Sequence, residues 1–412
     1  MSITSVPFKK TKTLLLGIIF ILSVWGLWFQ FDHLSISQHF SPTKGKMVYP
    51  RAGHQAVLLK DGRVLIVGGY QLRKDGHGAL GPILDAELYN PSTETFSLAG
   101  KMNFFHKEGT VTLLLDGKVL IAGGTENKPY QCPNNFITSE IFDPFKKQFS
   151  PVGKMNIPRS GHGATLLPDG KVLITAGNQY SCMTKDRNIS NKSSYLTSQE
   201  LFDPKTGQFS STPNLQVGHS NPQIVPFSQN EIFAAGRAVS GLTPEKDEQK
   251  DVEIYNFSTK KSKYFNIFPL TVNSTKFYAV NQQSILAVNG KGNPNRYFLQ
   301  LYLLNGQKNK FEREFLSNKE VHGFSPEVTT LPNKSIFILL NYLPGFFDTL
   351  PSSHAFRYDF KTHHLQDIGD YPRGPMHDVP IVALKNGKLL LIGGECRIKC
   401  TDSEHFTWLY HP

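Results

Sequence analysis

The sequence predicts an all-β fold: a seven-bladed β-propeller closed by an N-terminal strand and preceded by one N-terminal transmembrane helix. Three observations carry that expectation. A segment that alternates like paired strands recurs about every fifty residues. A fragment near the N-terminus matches the one strand that the last repeat lacks. A block of uncharged residues stands ahead of the first repeat.

The recurrence is plainest in three copies: GHQAVLLKDGRVLIVGG at 53–69, EGTVTLLLDGKVLIAGG at 108–124 and GHGATLLPDGKVLITAG at 161–177. Each leads to an acidic-aromatic-turn phrase, ELYNP at 87–91, EIFDP at 140–144 and ELFDP at 200–204. The second glycine of the doublet is read at Gly69, Gly124, Gly177, Gly236, Gly290 and Gly394. The last interval is close to twice the others, so a further copy is expected at 328–341, with Asn341 in the glycine's place. That makes seven.

Each unit reads as four strands. An apolar run such as 56–59 meets a second run, 64–67, across an Asp-Gly or Asn-Gly turn suited to a tight hairpin. A variable loop follows, then the Glu-x-Tyr/Phe strand. An Asp-Pro or Asn-Pro turn leads into a short outer strand carrying Phe96, Phe149 or Phe209. One such sheet cannot bury both of its apolar faces, but sheets set radially cover one another. The seventh copy stops at 408–412, after its third strand. HFSPTKGKM at 39–47 matches QFSPVGKM at 148–155 with one insertion, so residues 38–47 are expected to complete the last blade beside 375–412.

These motifs resemble the kelch-repeat family over roughly residues 40–412. The match weakens in repeats five and six, where the doublets become Asn289-Gly290 and Leu340-Asn341. The usual outer-strand Trp is Phe in this chain. The resemblance implies a β-propeller and no single activity, since members include enzymes, adhesion modules and docking platforms. Kelch-like propellers are also similar to the central domain of galactose oxidases and to sialic-acid mutarotases. That similarity implies sugar chemistry as the alternative activity. A mutarotase needs only an acid and a base at the channel mouth, for which Glu126, Glu395, Arg373 or His377 would serve.

The domain reading is a basic cytoplasmic tail at 1–12, a signal-anchor helix at 13–31, a linker at 32–37 and the propeller at 38–412. Lys9, Lys10 and Lys12 precede the uncharged block. As a helix, 14–31 would span about 27 Å, close to the hydrocarbon thickness. The basic flank keeps the N-terminus cytoplasmic and sends the propeller to the periplasmic or extracellular side. A cleaved signal is disfavoured because Trp25, Trp28, Phe29 and Phe31 crowd the exit end without a small-x-small cleavage site.

Cys132, Cys182, Cys396 and Cys400 all fall in loops after a second strand. Bridges Cys132–Cys182 and Cys396–Cys400 are expected on the exported side. The cysteines lack the paired spacing of a zinc site, so neither a metal nor another cofactor is expected.

In a propeller, the loops entering each first strand and those after each second strand share one face. The entering loops bring Arg51, His54, His106, Arg159, His162, His219, His322, Arg373 and His377; the others bring Tyr70, Glu126, Tyr180 and Glu395. Guanidinium and imidazole groups gathered around an axis would bind an anionic group. The competing reading is that Arg and His brace the loop backbones by hydrogen bonds. Glu87, Glu140, Glu200 and Glu253 recur in register, which argues structural pairing. The net charge of +11 suits attraction to anionic lipids or acidic glycans. Nucleic acid is not an expected partner, because no basic helix or nucleic-acid motif is present. The expected function is a membrane-tethered, extracytoplasmic propeller that binds a protein or glycan through this loop face.

Overall fold

A computed structural model describes residues 38–412 except 73–78, 127–133, 136, 186–187, 239–251, 265–274, 282–283, 294–295, 306–309, 317–324, 342–352, 373–375, 378, 394 and 397–406. Its regular structure is all β, arranged as seven four-stranded antiparallel blades. Blade 1 comprises Ala52–Leu58, Val64–Leu72, Asp85–Asn90 and Thr95–Lys101, from the ring axis outward. The same order repeats in blades 2 (110–151), 3 (163–212), 4 (219–264), 5 (276–316) and 6 (325–370). Blade 6 contains the divergent copy, its hairpin pairing Val328 with Ile338 and Ser325 with Asn341. The first strands touch their neighbours in an unbroken circle, from Ala52–Leu58 through every blade to Ile381–Ala383 and back.

Blade 7 takes three strands from the C-terminal region and its outer strand, Phe40–Pro42, from the other end of the chain. Phe40 lies opposite Tyr410, Ser41 opposite Leu409 and Pro42 opposite Trp408. The backbone N–H of His411 donates to His39 O at 2.8 Å, and that of Thr43 to Thr407 O at 3.0 Å. Phe40 fills the slot that Phe96, Phe149 and Phe209 fill in blades 1 to 3. Those rings meet Tyr89, Phe142 and Phe202 at centroid distances of 5.0, 4.8 and 4.9 Å, and Phe40 meets Tyr410 at 5.5 Å. The sequence match between 39–47 and 148–155 therefore reported a true equivalence of position.

The apolar core lies between blades rather than within them. Leu65, Val67 and Leu88 of blade 1 pack with Val119, Ile121 and Phe142 of blade 2, and Leu339 of blade 6 packs with Leu389 and Leu391 of blade 7. The second glycine of the doublet is needed where the second strand runs hard against the chain entering the first. A Cβ on Gly124, whose φ is +103°, would sit 2.7 Å from Lys107 O. The doublet count needs one correction. Gly236 takes the place of a first glycine, since its carbonyl meets His219 as Gly123 meets His106. A bulge between Ser220 and Gln223 shifts blade 4 by one residue.

Additional paired segments rise on the loop face from the connections around the second strand. They are 70–72 with Ala79–Pro82, Thr125–Glu126 with Asn134–Asn135, Asn178–Lys185 with Asn188–Tyr195, and Met376–His377 with Glu395–Cys396. In blade 5 the second and third strands themselves lengthen, ending at Asn293 opposite Arg296. Residues 1–37, and with them the expected tail, anchor helix and linker, lie outside the described residues. Among the described residues no helix is long and apolar enough to cross a membrane.

Replacing Phe40 by Ala should destabilise the ring by about 3–5 kcal/mol, as for a large aromatic removed from a core. Leu98→Ala, at a half-exposed site on the flank of blade 1, should change stability by less than about 0.5 kcal/mol. Denaturant titration of both variants checks the pair.

Candidate functional site

Four blades carry one recurrent device at the loop face. Glu87 sits fully buried on the third strand of blade 1, opposite Ile66. A buried carboxylate needs donors, and the chain entering the blade supplies them. The backbone N–H groups of Val48 and Tyr49 donate to its two oxygens at 2.7 and 3.1 Å. Arg51 donates to Glu87 Oε1 at 2.6 Å and to the carbonyl of Gly68 at 3.1 Å, tying first, second and third strands together. Blade 3 repeats this with Arg159, Glu200 and Ala176 O, at 2.9 Å for both contacts.

Blades 2 and 4 put histidine in the arginine's place. His106 Nε2 lies 3.2 Å from Glu140 Oε1 and its Nδ1 lies 2.6 Å from Gly123 O. His219 makes the same two contacts with Glu253 and Gly236 O, at 3.0 and 3.2 Å. Both ring nitrogens face oxygen acceptors, as the two guanidinium nitrogens do in blades 1 and 3. Burial alone would push the Glu140 carboxyl up, but hydrogen bonds from His106 and Asn103 outweigh it and hold the group below its usual range. Burial draws Arg51 and Arg159 down, against the pull of Glu87 and Glu200. All eight side chains are buried.

In blades 5 to 7 the same position is aromatic. Tyr302 stands opposite Ala287, Phe356 opposite Ile338 and Trp408 opposite Leu391, as Glu87 stands opposite Ile66. The ring thus has a sector of four carboxylate clamps and a sector of three apolar plugs.

His54 and His162 do a different job. Each lies buried against the first glycine of the preceding blade: a Cβ on Gly393 would meet His54 Cε1 at 3.2 Å, and one on Gly123 would meet His162 Cε1 at 2.6 Å. Burial, then the neighbouring charge of Arg51, holds His54 down to about 3; burial and Arg159 do the same for His162. Both rings are neutral spacers between blades. His162 Nε2 also meets Thr110 Oγ1 across that boundary, at 3.0 Å.

The geometry therefore favours bracing at six of the loop-face residues read from the sequence. Arg51, Arg159, His106 and His219 pair inside the chain, while His54 and His162 pack between blades. What sequence reasoning missed was the pairing itself, since the cations and the strand glutamates were read as separate sets. Tyr70 remains part-exposed beside Gly53. Glu126, Tyr180, His377 and Glu395 are placed by backbone on the loop-face segments, opposite Asn134, Ser193, Glu395 and His377 respectively. His322 and Arg373 lie outside the described residues. So do Cys132 and Cys400; Cys182 and Cys396 are described only as strand backbone opposite Asn191 and Met376, which leaves the expected bridges outside the described side chains. Two apolar residues that the sequence reading did not single out stand exposed on the opposite face, Leu115 at 58% and Phe145 at 99%.

No family model and no curated protein matches the sequence. Among solved structures the chain is similar to a fungal alcohol oxidase of the AA5 family in complex with copper. That similarity has a TM-score of 0.63 at 14% identity, over 90% of this chain and 75% of that one. It shows the fold alone. Among the described residues no three His, Cys, Asp or Glu side chains are grouped to hold a metal ion. The imidazoles of His54, His106, His162 and His219 are each engaged in or between their own blades, so these residues do not fit a copper site.

Arg51→His should be tolerated better than Arg51→Met, by about 2 kcal/mol, because Met leaves the buried Glu87 carboxylate with backbone donors but no counter-charge, a loss of roughly 3–5 kcal/mol when one partner of a buried pair is removed, and an imidazole already serves in blades 2 and 4. Equilibrium unfolding of the two variants checks the order. A second prediction concerns pH. Unfolding returns His54 and His162 to an ordinary imidazole affinity near 6.5, so the unfolded chain binds protons that the folded chain refuses. Their stabilising contribution is complete above pH 6.5 and is lost towards pH 3, at up to about 1.4 kcal/mol per pH unit for each ring. The melting temperature should fall over that window, and His54→Asn/His162→Asn should flatten the slope.

Proposed function

We propose that this chain is a kelch-type propeller held outside the cytoplasm by its N-terminal segment, and that it docks a protein or glycan through the loop face. The observation that carries the reading is the set of additional paired segments, which rise on one face of an otherwise regular ring. Their lengths differ from blade to blade while the four-strand order beneath them does not, and variable segments on a rigid scaffold are where binding concentrates. The longest, Asn178–Lys185 with Asn188–Tyr195, lies beside Asn134–Asn135 of the neighbouring blade, so adjacent blades offer a continuous edge. Glu126, Tyr180, His377 and Glu395, with Tyr70, His322 and Arg373, are the residues proposed to meet the partner. The clamps below them hold the entering loops and are not themselves contact residues. The uncharged block 13–31 and the basic residues before it support the tether.

Oxidation of an alcohol or sugar is the second reading, favoured by the structural similarity to the fungal oxidase. The full chain, affinity-captured in detergent from its own envelope extract and probed in parallel on a glycan array, separates the two. Docking predicts a retained protein or glycan. Replacing 184–189 by an Asn-Gly turn, which keeps Cys182, should lose at least about tenfold of that retention without lowering the melting temperature, since a two-residue hairpin turn closes the shortened ribbon between Met183 and Ser190. Capture of nothing on either support overturns docking. Hydrogen peroxide released from primary alcohols or galactose by the copper-treated chain would establish the oxidase reading instead.

A further inference from the structure

The face opposite the loops carries two features that the ring itself does not need. Phe145 is 99% exposed at the tip of the outer turn of blade 2, and Leu115 is 58% exposed on the inner turn of the same blade. The corresponding outer-turn positions are Ser92 in blade 1, Lys205 in blade 3 and Ser258 in blade 4, so a polar residue serves the turn equally well. Phe145 and the Asp-Gly turns of blades 1 and 2 line a shallow cleft of about 290 Å³. Lys146 and Lys147 follow Phe145 directly, and both are exposed, as is Lys205 in the next blade. The acids of these turns fold back: Asp143 accepts the backbone N–H groups of Phe145 and Lys146, and Asp203 that of Lys205. On the inner turns the half-exposed Asp61 and Asp116 are each paired with a cation of the same turn, Arg63 at 2.6 Å and Lys118 at 3.3 Å, so Lys146, Lys147 and Lys205 add to a locally balanced surface.

Topology places the N-terminal segment on this same face. The closing strand runs antiparallel to Thr407–Tyr410, pairing Phe40 with Tyr410 at the end where the third strand finishes. In blade 2 the equivalent pair is Phe142 with Phe149, and the turn that joins them is the one bearing Phe145. Exposed Gln38 therefore leaves blade 7 at the level of that turn. Only 32–37 separate it from the uncharged block, a stretch that reaches at most about 22 Å when fully extended.

We propose that the turn face is a membrane-docking surface, which seats Phe145 and Leu115 in the interface of an anionic bilayer with Lys146, Lys147 and Lys205 against its headgroups. This rests on the tether proposed above. The short linker holds the face within reach of the bilayer, apolar side chains flanked by lysine suit the headgroup–acyl boundary, and the projecting charge suits anionic lipid. The loop face then points away from the membrane, towards a partner.

The test is hydroxyl-radical footprinting of the full chain reconstituted into vesicles containing phosphatidylglycerol, with oxidation normalised to intrinsic side-chain reactivity. Val48, on the connection entering blade 1, and Leu98, on the flank, are both 47% exposed and serve as internal references. Docking predicts that Phe145 and Leu115 are oxidised at least about fivefold less than either reference, as burial of large apolar side chains in the interface requires. Lys146→Ser/Lys147→Ser, or phosphatidylcholine vesicles, should restore several-fold of the lost oxidation. Oxidation of Phe145 at or above the references in a chain that resists carbonate extraction overturns docking and leaves the tether standing. Release of the chain by carbonate overturns both. Protection that grows with protein density on the vesicle assigns the face to a second copy and overturns the lipid assignment, and protection indifferent to lipid charge and to the lysines overturns the anionic surface.

Discussion

The central four residues of the second strand are buried in every blade, and much of what buries them belongs to the blades on either side. Val119–Ala122, Val172–Thr175 and Leu389–Ile392 have no exposed residue. The ring must therefore close for any blade to be stable, because an open arc would leave two sheets with an uncovered apolar face. Closure falls to three residues of a strand that precedes everything it completes. The same logic explains the first glycines, where His54 and His162 from the next blade occupy the space that a side chain would take.

The carboxylate clamps show one structural problem solved twice. A loop must be fixed to the third strand at the top of every blade. Blades 1 to 4 bury a carboxylate there, hydrogen-bonded to Arg or His and reinforced by backbone N–H groups; blades 5 to 7 fill the position with Tyr302, Phe356 and Trp408. Buried ion pairs and well-packed apolar groups of similar size contribute comparably to stability, so both solutions can coexist in one ring. The substitution of histidine for arginine in alternate clamps follows from shape, since each presents two nitrogens to the same carbonyl and carboxylate.

Most of the architecture was readable in the sequence because it repeats. The glycine doublets, the Asp-Gly turns and the resemblance of 39–47 to 148–155 gave seven blades and their latch. The slip at Gly236 arose because that copy holds a single glycine, flanked by Ala235 and Arg237, so the linear pattern did not show which member of the doublet it represents. Beyond blade 4 the acidic-aromatic phrase fades because an aromatic takes the place of the clamp glutamate, whereas the glycine doublet is altered in blades 5 and 6 and returns in blade 7. The candidate site was less legible. Arg51, His54 and their equivalents carry groups suited to binding, and only three-dimensional pairing shows them occupied within the chain. Phe145 escaped notice because nothing in a linear pattern distinguishes a buried aromatic from one left exposed at a turn.

The latch also has a mechanical meaning. Residues before Gln38 continue from a strand only three residues long, hydrogen-bonded along its side to Thr407–Tyr410. Tension applied through them while the ring is held from the loop face would act along that strand, loading its few bonds together in shear rather than peeling them in turn. The resistance of the whole ring to such a pull is set there, and the first element to yield would be the one whose departure unseals the circle.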